Sequence, residues 1–190
     1  MYVDILKKIV NNYEYYKNIA VNLEWVESSS KYYDWVNEYS IIGIYVTVCN
    51  FPENYIKNNF EQAYVQTVLT FMASCGKREQ DFWKVPYSKR LEYMTRDKEL
   101  YEEYITYDEL RMKFVKEDYL IQKIKSYTED NDIPESNIPE SEINSVIPYL
   151  TGAENIEIGG CDFIEYEIDH TFISIKDNSI MLIECGTWGS

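Results

Sequence analysis

Glycine is distributed unevenly along this 190-residue chain, and this distribution constrains the fold more than any motif does. Gly43 and Gly76 are the only two before residue 150, whereas five glycines lie in the last 40 residues. Long glycine-free stretches with few prolines favour helices, and β-branched segments interrupted by glycine favour hairpins. We therefore expect an α+β protein, with a mainly helical N-terminal body and a small antiparallel β-sheet or hairpin packed on it at the C-terminus.

The same pattern divides the chain into three segments. Residues 1–130 are predicted to form the helical body, 131–150 a connection rich in Pro, Glu and Ser, and 151–190 a β-rich acidic tail. The connection contains "IPESNIPESE" (133–142), whose two prolines do not sustain a helix. The tail is too short to build a core of its own, so it should pack on the helices as one domain with them.

Apolar residues at helical spacing mark the predicted helices of the body. One stripe comprises Ile5, Ile9, Tyr13, Tyr16 and Ala20, and a second, after Pro52, comprises Ile56, Phe60, Ala63, Thr67 and Phe71. Further helices are predicted over 28–39, from about residue 88 to 105, and from the capping box at 106–109 to about 126. The run 41–51 fits either a strand, which its β-branched residues favour, or a buried helix.

The tail contains a predicted hairpin around "IKDNSI" (175–180). If Asp177 and Asn178 form the tight turn, residues whose numbers sum to 355 lie opposite each other. Both faces of this hairpin are then largely apolar, so we expect it at the centre of the sheet. The same register places His170, the only histidine, opposite Cys185.

The run before this hairpin alternates between apolar and acidic residues, which is typical of a strand with one solvated face. Its predicted outward side chains are Glu165, Glu167 and Asp169. Hard cations bind such carboxylates, but neighbours at i and i+2 stand nearly 7 Å apart, too far to share one small ion unaided. We therefore predict no metal and no cofactor, and interpret this face as solvated or as a protein contact.

A thiol beside an imidazole is the arrangement that activates a cysteine nucleophile, so Cys185 and His170 define a possible small thiol enzyme. No cysteine-hydrolase signature surrounds either residue, and no helix N-terminus is predicted to lower the thiol pKa. The phosphate-binding, dinucleotide, zinc-protease and nucleophile-elbow motifs are also absent from the sequence. We therefore predict that the protein is not an enzyme, and keep the thiol enzyme as an alternative.

Charge is concentrated in the C-terminal third. Residues 131–190 contain twelve acids and one base, for a formal charge of −11, whereas residues 1–130 contain 21 acids and 17 bases. This distribution argues against direct contact with nucleic acid or with an anionic membrane, because both need a basic surface. It favours a basic protein partner. The predicted contact residues are Glu154, Glu157, Asp162, Glu165, Glu167 and Asp169.

The cysteines and the apolar runs predict the cellular compartment of the protein. The four cysteines, Cys49, Cys75, Cys161 and Cys185, have neither C-x-x-C spacing nor the density of a disulfide framework. The start of the chain lacks the pattern of a signal peptide, and the longest apolar run, 41–48, is far short of the roughly 20 residues of a membrane span. We therefore expect a cytoplasmic protein.

Small size, acidity, a helical body and a short β-tail ending in an apolar strand together resemble the immunity proteins of bacterial toxin systems. This resemblance implies an inhibitor that covers the active site, or a neighbouring exosite, of a cognate toxin that is often a basic nuclease. It is a likeness of type rather than of motif, so it implies no role for any particular residue. The alternatives are a nucleic-acid mimic that inhibits a DNA- or RNA-binding protein, and the thiol enzyme.

Overall fold

The computed structural model describes residues 1–27, 29–37, 42–75, 112–129, 137–162 and 166–188. Within these ranges the helices are α1 (Tyr2–Val10), α2 (Tyr13–Val21), α3 (Tyr55–Cys75), α4 (Glu117–Ser126), α5 (Glu140–Ile143) and α6 (Ile147–Leu150). The strands are β1 (Ser29–Asn37), β2 (Ile42–Asn50), β3 (Lys113–Val115), β4 (Glu154–Asp162), β5 (Tyr166–Lys176) and β6 (Ser179–Trp188). They form one antiparallel sheet in the order β1-β2-β6-β5-β4-β3.

The sheet lies between two layers of helices, and each of its faces has its own core. Side chains of α1, α2 and α3 cover the first face, and side chains of α4, α5 and α6 cover the second face. Because side chains alternate along a strand, β5 and β6 supply both cores. Ile173 and Leu182 are buried on the first face, and Phe172 and Ile183 on the second. The prediction that this hairpin is central is therefore confirmed.

The hairpin register is also confirmed, because Ile175 lies opposite Ile180 and His170 opposite Cys185. Asp177 in the turn adopts a positive φ of 47°, which is the left-handed conformation that Asp and Asn tolerate best after glycine. The register shifts by one residue between Ile168 and His170, where a β-bulge interrupts β5.

The α+β class is confirmed, and the sheet is larger than predicted because β1, β2 and β3 all belong to residues 1–130. The prediction of a helix over 28–39 was wrong, since Ser29–Asn37 forms a strand along β2. Tyr33 and Trp35, two residues apart, both pack in the second core, which is the period of a strand rather than a helix. The ambiguous run 41–51 is also a strand from Ile42 to Asn50.

The N-terminal stripe is helical but divided into two helices. Asn12 lies between them in an extended conformation, and its side-chain oxygen accepts a hydrogen bond from the backbone N–H of Tyr15 at 3.0 Å. This is an N-cap, the role in which asparagine is most favourable at a helix start. The break lets α1 and α2 pack separately against the first face.

The helix predicted after Pro52 is confirmed as α3, and the five residues of its predicted stripe are all buried. The backbone of Asn59 departs from helical geometry inside it, with φ −137° and ψ 43°. Just after this kink, the ring of Phe60 packs against α1, with its centroid 4.3 Å from that of Tyr2.

Within the described residues, the helix predicted from the capping box to residue 126 is confirmed over Glu117–Ser126 and is wrong over Lys113–Val115. Lys113–Val115 is strand β3, and the helix starts at Glu117, with Asp118 also in its first turn, where acids favour the helix dipole. The capping box itself and the helix predicted up to residue 105 lie outside the described residues, as do residues 131–136 of the connection. The rest of the connection contains only the one-turn helices α5 and α6.

The two ends of the sheet carry different parts of the chain. The turn end carries the Asp177–Asn178 turn and the strand ends at Ser29, Asn50 and Glu154. The far end carries the opposite strand ends, at residues 37, 42, 162, 166 and 188. Across the described ranges, no helix has the length and apolar character needed to cross a membrane.

Candidate functional site

The acids predicted to form one contact face are divided between the two ends of the sheet. Glu154 begins β4 at the turn end, and Asp162 ends the same strand at the far end. Eight residue steps along a strand separate them by about 25 Å. Glu167 lies opposite Asp162, and Asp169 follows in the same strand. Glu165 and the side chains of the other three far-end acids lie outside the described part of the chain.

Glu157 is not on an exposed face, so its predicted place in an open contact surface needs correction. Only 3% of the residue is accessible, on the second face of the sheet and opposite Phe172 of β5. A side chain this deeply enclosed has no room to meet a partner protein. Glu154, three residues earlier, is exposed as predicted.

The carboxylate of Glu157 joins three elements of the fold. Its Oε1 lies 2.9 Å from Nδ1 of His170 in β5, and its Oε2 lies 3.2 Å from Nζ of Lys113 in β3. The hydroxyl of Tyr119 in α4 donates a longer hydrogen bond to Oε2 at 3.4 Å. Such charge-assisted bonds are stronger than neutral ones, and they compensate the burial of a charge.

The protonation state of Glu157 is set by these contacts. Burial by itself raises the pKa of a carboxyl group, but the hydrogen bonds from His170 and Lys113 and their positive charges outweigh it, so the pKa of Glu157 lies below its ordinary value. Near neutral pH the group is therefore an ionised carboxylate that can only accept hydrogen bonds. Consequently the N–H of His170 is on Nδ1, which donates a hydrogen bond to the Glu157 carboxylate.

Aromatic rings surround the imidazole on the second face. The ring of Phe172 stacks against it at 5.8 Å between centroids, and Tyr127, which follows α4, meets it edge-on at 6.2 Å. Tyr119 in turn lies edge-on to Phe172. Only 14% of the His170 side chain is accessible. We call Lys113, His170 and Glu157, with Tyr119 and Tyr127, the Glu157 cluster.

The predicted position of His170 opposite Cys185 is confirmed, but its chemistry is not that of an exposed thiol site. Cys185 is fully buried in the second core. Within the described residues, the hydrogen bond of His170 goes to Glu157 rather than to the thiol. The imidazole is therefore hydrogen-bonded to the Glu157 carboxylate in this structure.

The negative charge of the C-terminal third is largely on the surface where the structure describes it. Four of its acids are exposed: Glu140, Glu142, Glu154 and Asp177. Glu157 and Glu184 are buried. The single base of this segment, Lys176, donates its hydrogen bond to the backbone carbonyl of Pro148 at 2.9 Å. Lys125 lies 3.8 Å from Glu140, which is long for an ion pair.

The Glu157 cluster could not be found from the sequence. The turn fixes the register of β5 with β6, but the register of β4 with β5 depends on irregularities on either side of Gly159. Gly159 has a φ of 110°, a conformation that other residues rarely adopt. The one signal available was the lone histidine within a strand. It pointed to Cys185 rather than to Glu157.

Among the described residues, no three His, Cys, Asp or Glu side chains gather in a way that could hold a metal ion. No protein-family model, no curated protein and no solved structure matches the chain.

Proposed function

We propose that this protein is a non-catalytic, cytoplasmic inhibitor that binds a basic protein partner, a toxin domain of the kind that immunity proteins neutralise. One observation carries the proposal: the C-terminal third has a formal charge of −11. Four of its acids are exposed where the structure describes them, and Lys176 is its one base. A concentrated field of one sign raises the association rate of an oppositely charged partner by about 10–10³-fold.

Two features favour a protein partner over direct contact with nucleic acid. Phosphate backbones are bound by clustered Lys and Arg, and Lys176 is the one base among residues 131–190. Its ammonium group donates a hydrogen bond to the Pro148 carbonyl.

The acidity of the C-terminal third also fits a nucleic-acid mimic, which would compete with DNA or RNA for the partner's basic groove. An inhibitor of one toxin would instead be recognised by very tight binding to that single toxin.

The thiol enzyme is a second candidate because Cys185 does lie opposite His170. The burial of Cys185 and the hydrogen bond of His170 to Glu157 favour the inhibitor. A Cys185 thiol that reacts rapidly with iodoacetamide in the folded protein would favour the enzyme instead.

The proposal is tested by capture at low salt. The tagged protein is incubated with a lysate of the source organism at 20 mM and at 500 mM NaCl, and bound proteins are identified by mass spectrometry. We expect one basic protein to be retained at low salt and weakened at high salt, because screening shortens the reach of surface charges. Capture that does not change with salt, or retention of acidic proteins only, would contradict the proposal.

The role of the acids is tested with the captured protein after purification. One variant with five substitutions removes the acids assigned to the partner, apart from the buried Glu157. Its substitutions are Glu154→Gln, Asp162→Asn, Glu165→Gln, Glu167→Gln and Asp169→Asn. We expect at least tenfold slower association at low salt and a shallower salt dependence. Replacing five other exposed acids by their amides is the control for net charge: Asp4, Glu14, Asp118, Glu129 and Glu142. Equal effects of the two sets would show that the assigned acids have no special position.

A further inference from the structure

We propose that a patch centred on Trp25, between α2 and β1, is the docking point for the basic partner. This inference rests on the proposed function, since the occupant is that partner, and it adds an apolar anchor that lies outside the C-terminal third. The patch consists of the apolar side chains of Val21 and Trp25 with the acids Glu24 and Glu27. We call these four residues the Trp25 patch.

The apolar part of the patch faces solvent. Trp25 is 41% accessible and Val21, the last residue of α2, is 56% accessible, whereas most other apolar side chains among the described residues pack in the two cores. Exposed tryptophan is the side chain most often found as an energetic centre of protein interfaces, because a large rigid surface is buried at a small cost in entropy. An exposed tryptophan flanked in the chain by the exposed acids Glu24 and Glu27 matches the anchor of a small interface.

The segment that carries Trp25 has no helix or strand of its own, yet it is held in place. The side-chain amide of Gln66 in α3 accepts a hydrogen bond from the N–H of Val26 at 3.2 Å and donates one to its carbonyl at 3.0 Å. Gln66 itself is 1% exposed, and Leu23 packs against the first core. Fixing the residues on both sides of Trp25 in advance reduces the entropy lost when a partner binds.

The charge around the apolar pair indicates the chemistry of the partner. Glu24 and Glu27 are both exposed, and residues 21–27 contain no base. Glu27 lies two residues before Ser29, so it approaches the turn end of the sheet, where Glu53, Glu154 and Asp177 are also exposed. The complementary surface is therefore an apolar recess bordered by Lys or Arg. A nucleic acid or a second copy of this acidic chain would be repelled.

A stable interface must be larger than the Trp25 patch, so we expect the contact to continue along the turn end of the sheet. A stable protein interface buries about 1,200–2,000 Å² in total, and a buried tryptophan supplies at most about 250 Å². The exposed acids of the turn end supply a polar rim, which is the usual surrounding of such an anchor.

The test uses the basic protein captured at low salt, purified, as the probe. Binding is measured by calorimetry for the wild type, for Trp25→Ala, and for Glu24→Gln with Glu27→Gln. We expect Trp25→Ala to weaken binding by about 30-fold or more, and the double variant to weaken it several-fold and to reduce its salt dependence. The charge variant changes exposed side chains only, so it remains informative if Trp25→Ala disturbs the segment.

Matched controls lie elsewhere on the molecule. Phe114→Ala removes an aromatic side chain that is 56% exposed on β3, at the opposite edge of the sheet, and Glu14→Gln with Glu129→Gln removes the same charge from exposed positions. We expect both controls to bind like the wild type.

Three results would overturn the proposal, and they differ in what else they contradict. Wild-type affinity in both patch variants would contradict the docking point and leave the proposed inhibitor intact. Failure to capture any salt-sensitive basic protein would contradict the proposed function as well. Concentration-dependent dimers in sedimentation velocity that Trp25→Ala abolishes would assign the patch to self-association instead.

Discussion

Glu157 shows how strongly the role of one acid depends on its neighbours in the fold. In the sequence it is an acid among acids, and the charge pattern assigns it to the contact face. In the fold it is enclosed, and it links β3, β5 and α4 through Lys113, His170 and Tyr119. The reason is physical: whether a carboxylate faces water depends on which strand lies beside it, and that register is not encoded locally.

We expect Glu157→Gln to lower the free energy of unfolding by about 1–3 kcal/mol at pH 7, because two charge-assisted hydrogen bonds lose their anionic acceptor. The pKa of Glu157 is lower in the folded protein than its ordinary value. Its contribution is therefore fully present above the unfolded pKa, about 4.3, and is lost as the pH falls through the folded value. Urea unfolding of both proteins at pH 7 and pH 3 measures the difference.

The control for this prediction is Glu154→Gln, which changes an exposed acid on the same strand and should cost less than about 0.5 kcal/mol. A deficit of Glu157→Gln that is as large at pH 3 as at pH 7 would show that the loss comes from packing rather than from the carboxylate charge.

Among the elements, the β5–β6 hairpin was predictable and β1 was not. The hairpin has turn residues at its centre and apolar residues on both faces, so its register followed from local chemistry. β1 is rich in Tyr and Ser and free of glycine, and these features do not distinguish a strand from a helix. Its state is fixed by β2 alongside it, where Trp35 lies opposite Ile44.

The turn of this hairpin supports a prediction about stability. Asp177 has a φ of 47°, a conformation that a β-branched residue adopts only with strain. We expect Asp177→Val to lower the free energy of unfolding by about 1–2 kcal/mol, and Asp177→Asn to leave it nearly unchanged. Thermal and urea unfolding of the two variants provide the measurement. Equal stability of both variants would mean that the turn tolerates a change of conformation at this position.

At the scale of the whole molecule, the helices on both faces explain why the acidic tail does not stand alone. Strands β5 and β6 contribute to both cores and β4 to the first, so the segment with the greatest net charge also contains the structural centre of the sheet. The sequence pattern correctly placed this segment against helices. The pattern could not show that helices lie on both faces of the sheet. The segments that form α4, α5 and α6 carry no apolar stripe long enough to assign them to one face.

The formal net charge of −15 has opposite consequences for the fold and for the proposed complex. Like charges on the folded surface repel one another, so added salt should raise the free energy of unfolding. The complex with a basic partner depends on attraction across the interface, so added salt should weaken it. We therefore expect the urea midpoint of the free protein to increase between 20 mM and 500 mM NaCl, while the affinity for the captured partner decreases over the same range.

Potassium chloride serves as a control for ion-specific effects and should give the same two trends. A urea midpoint that falls with salt would mean that ion pairs, rather than repulsion, dominate the surface of the free protein. An affinity that rises with salt would mean that apolar contacts such as Trp25, and not the acids, govern the encounter with the partner.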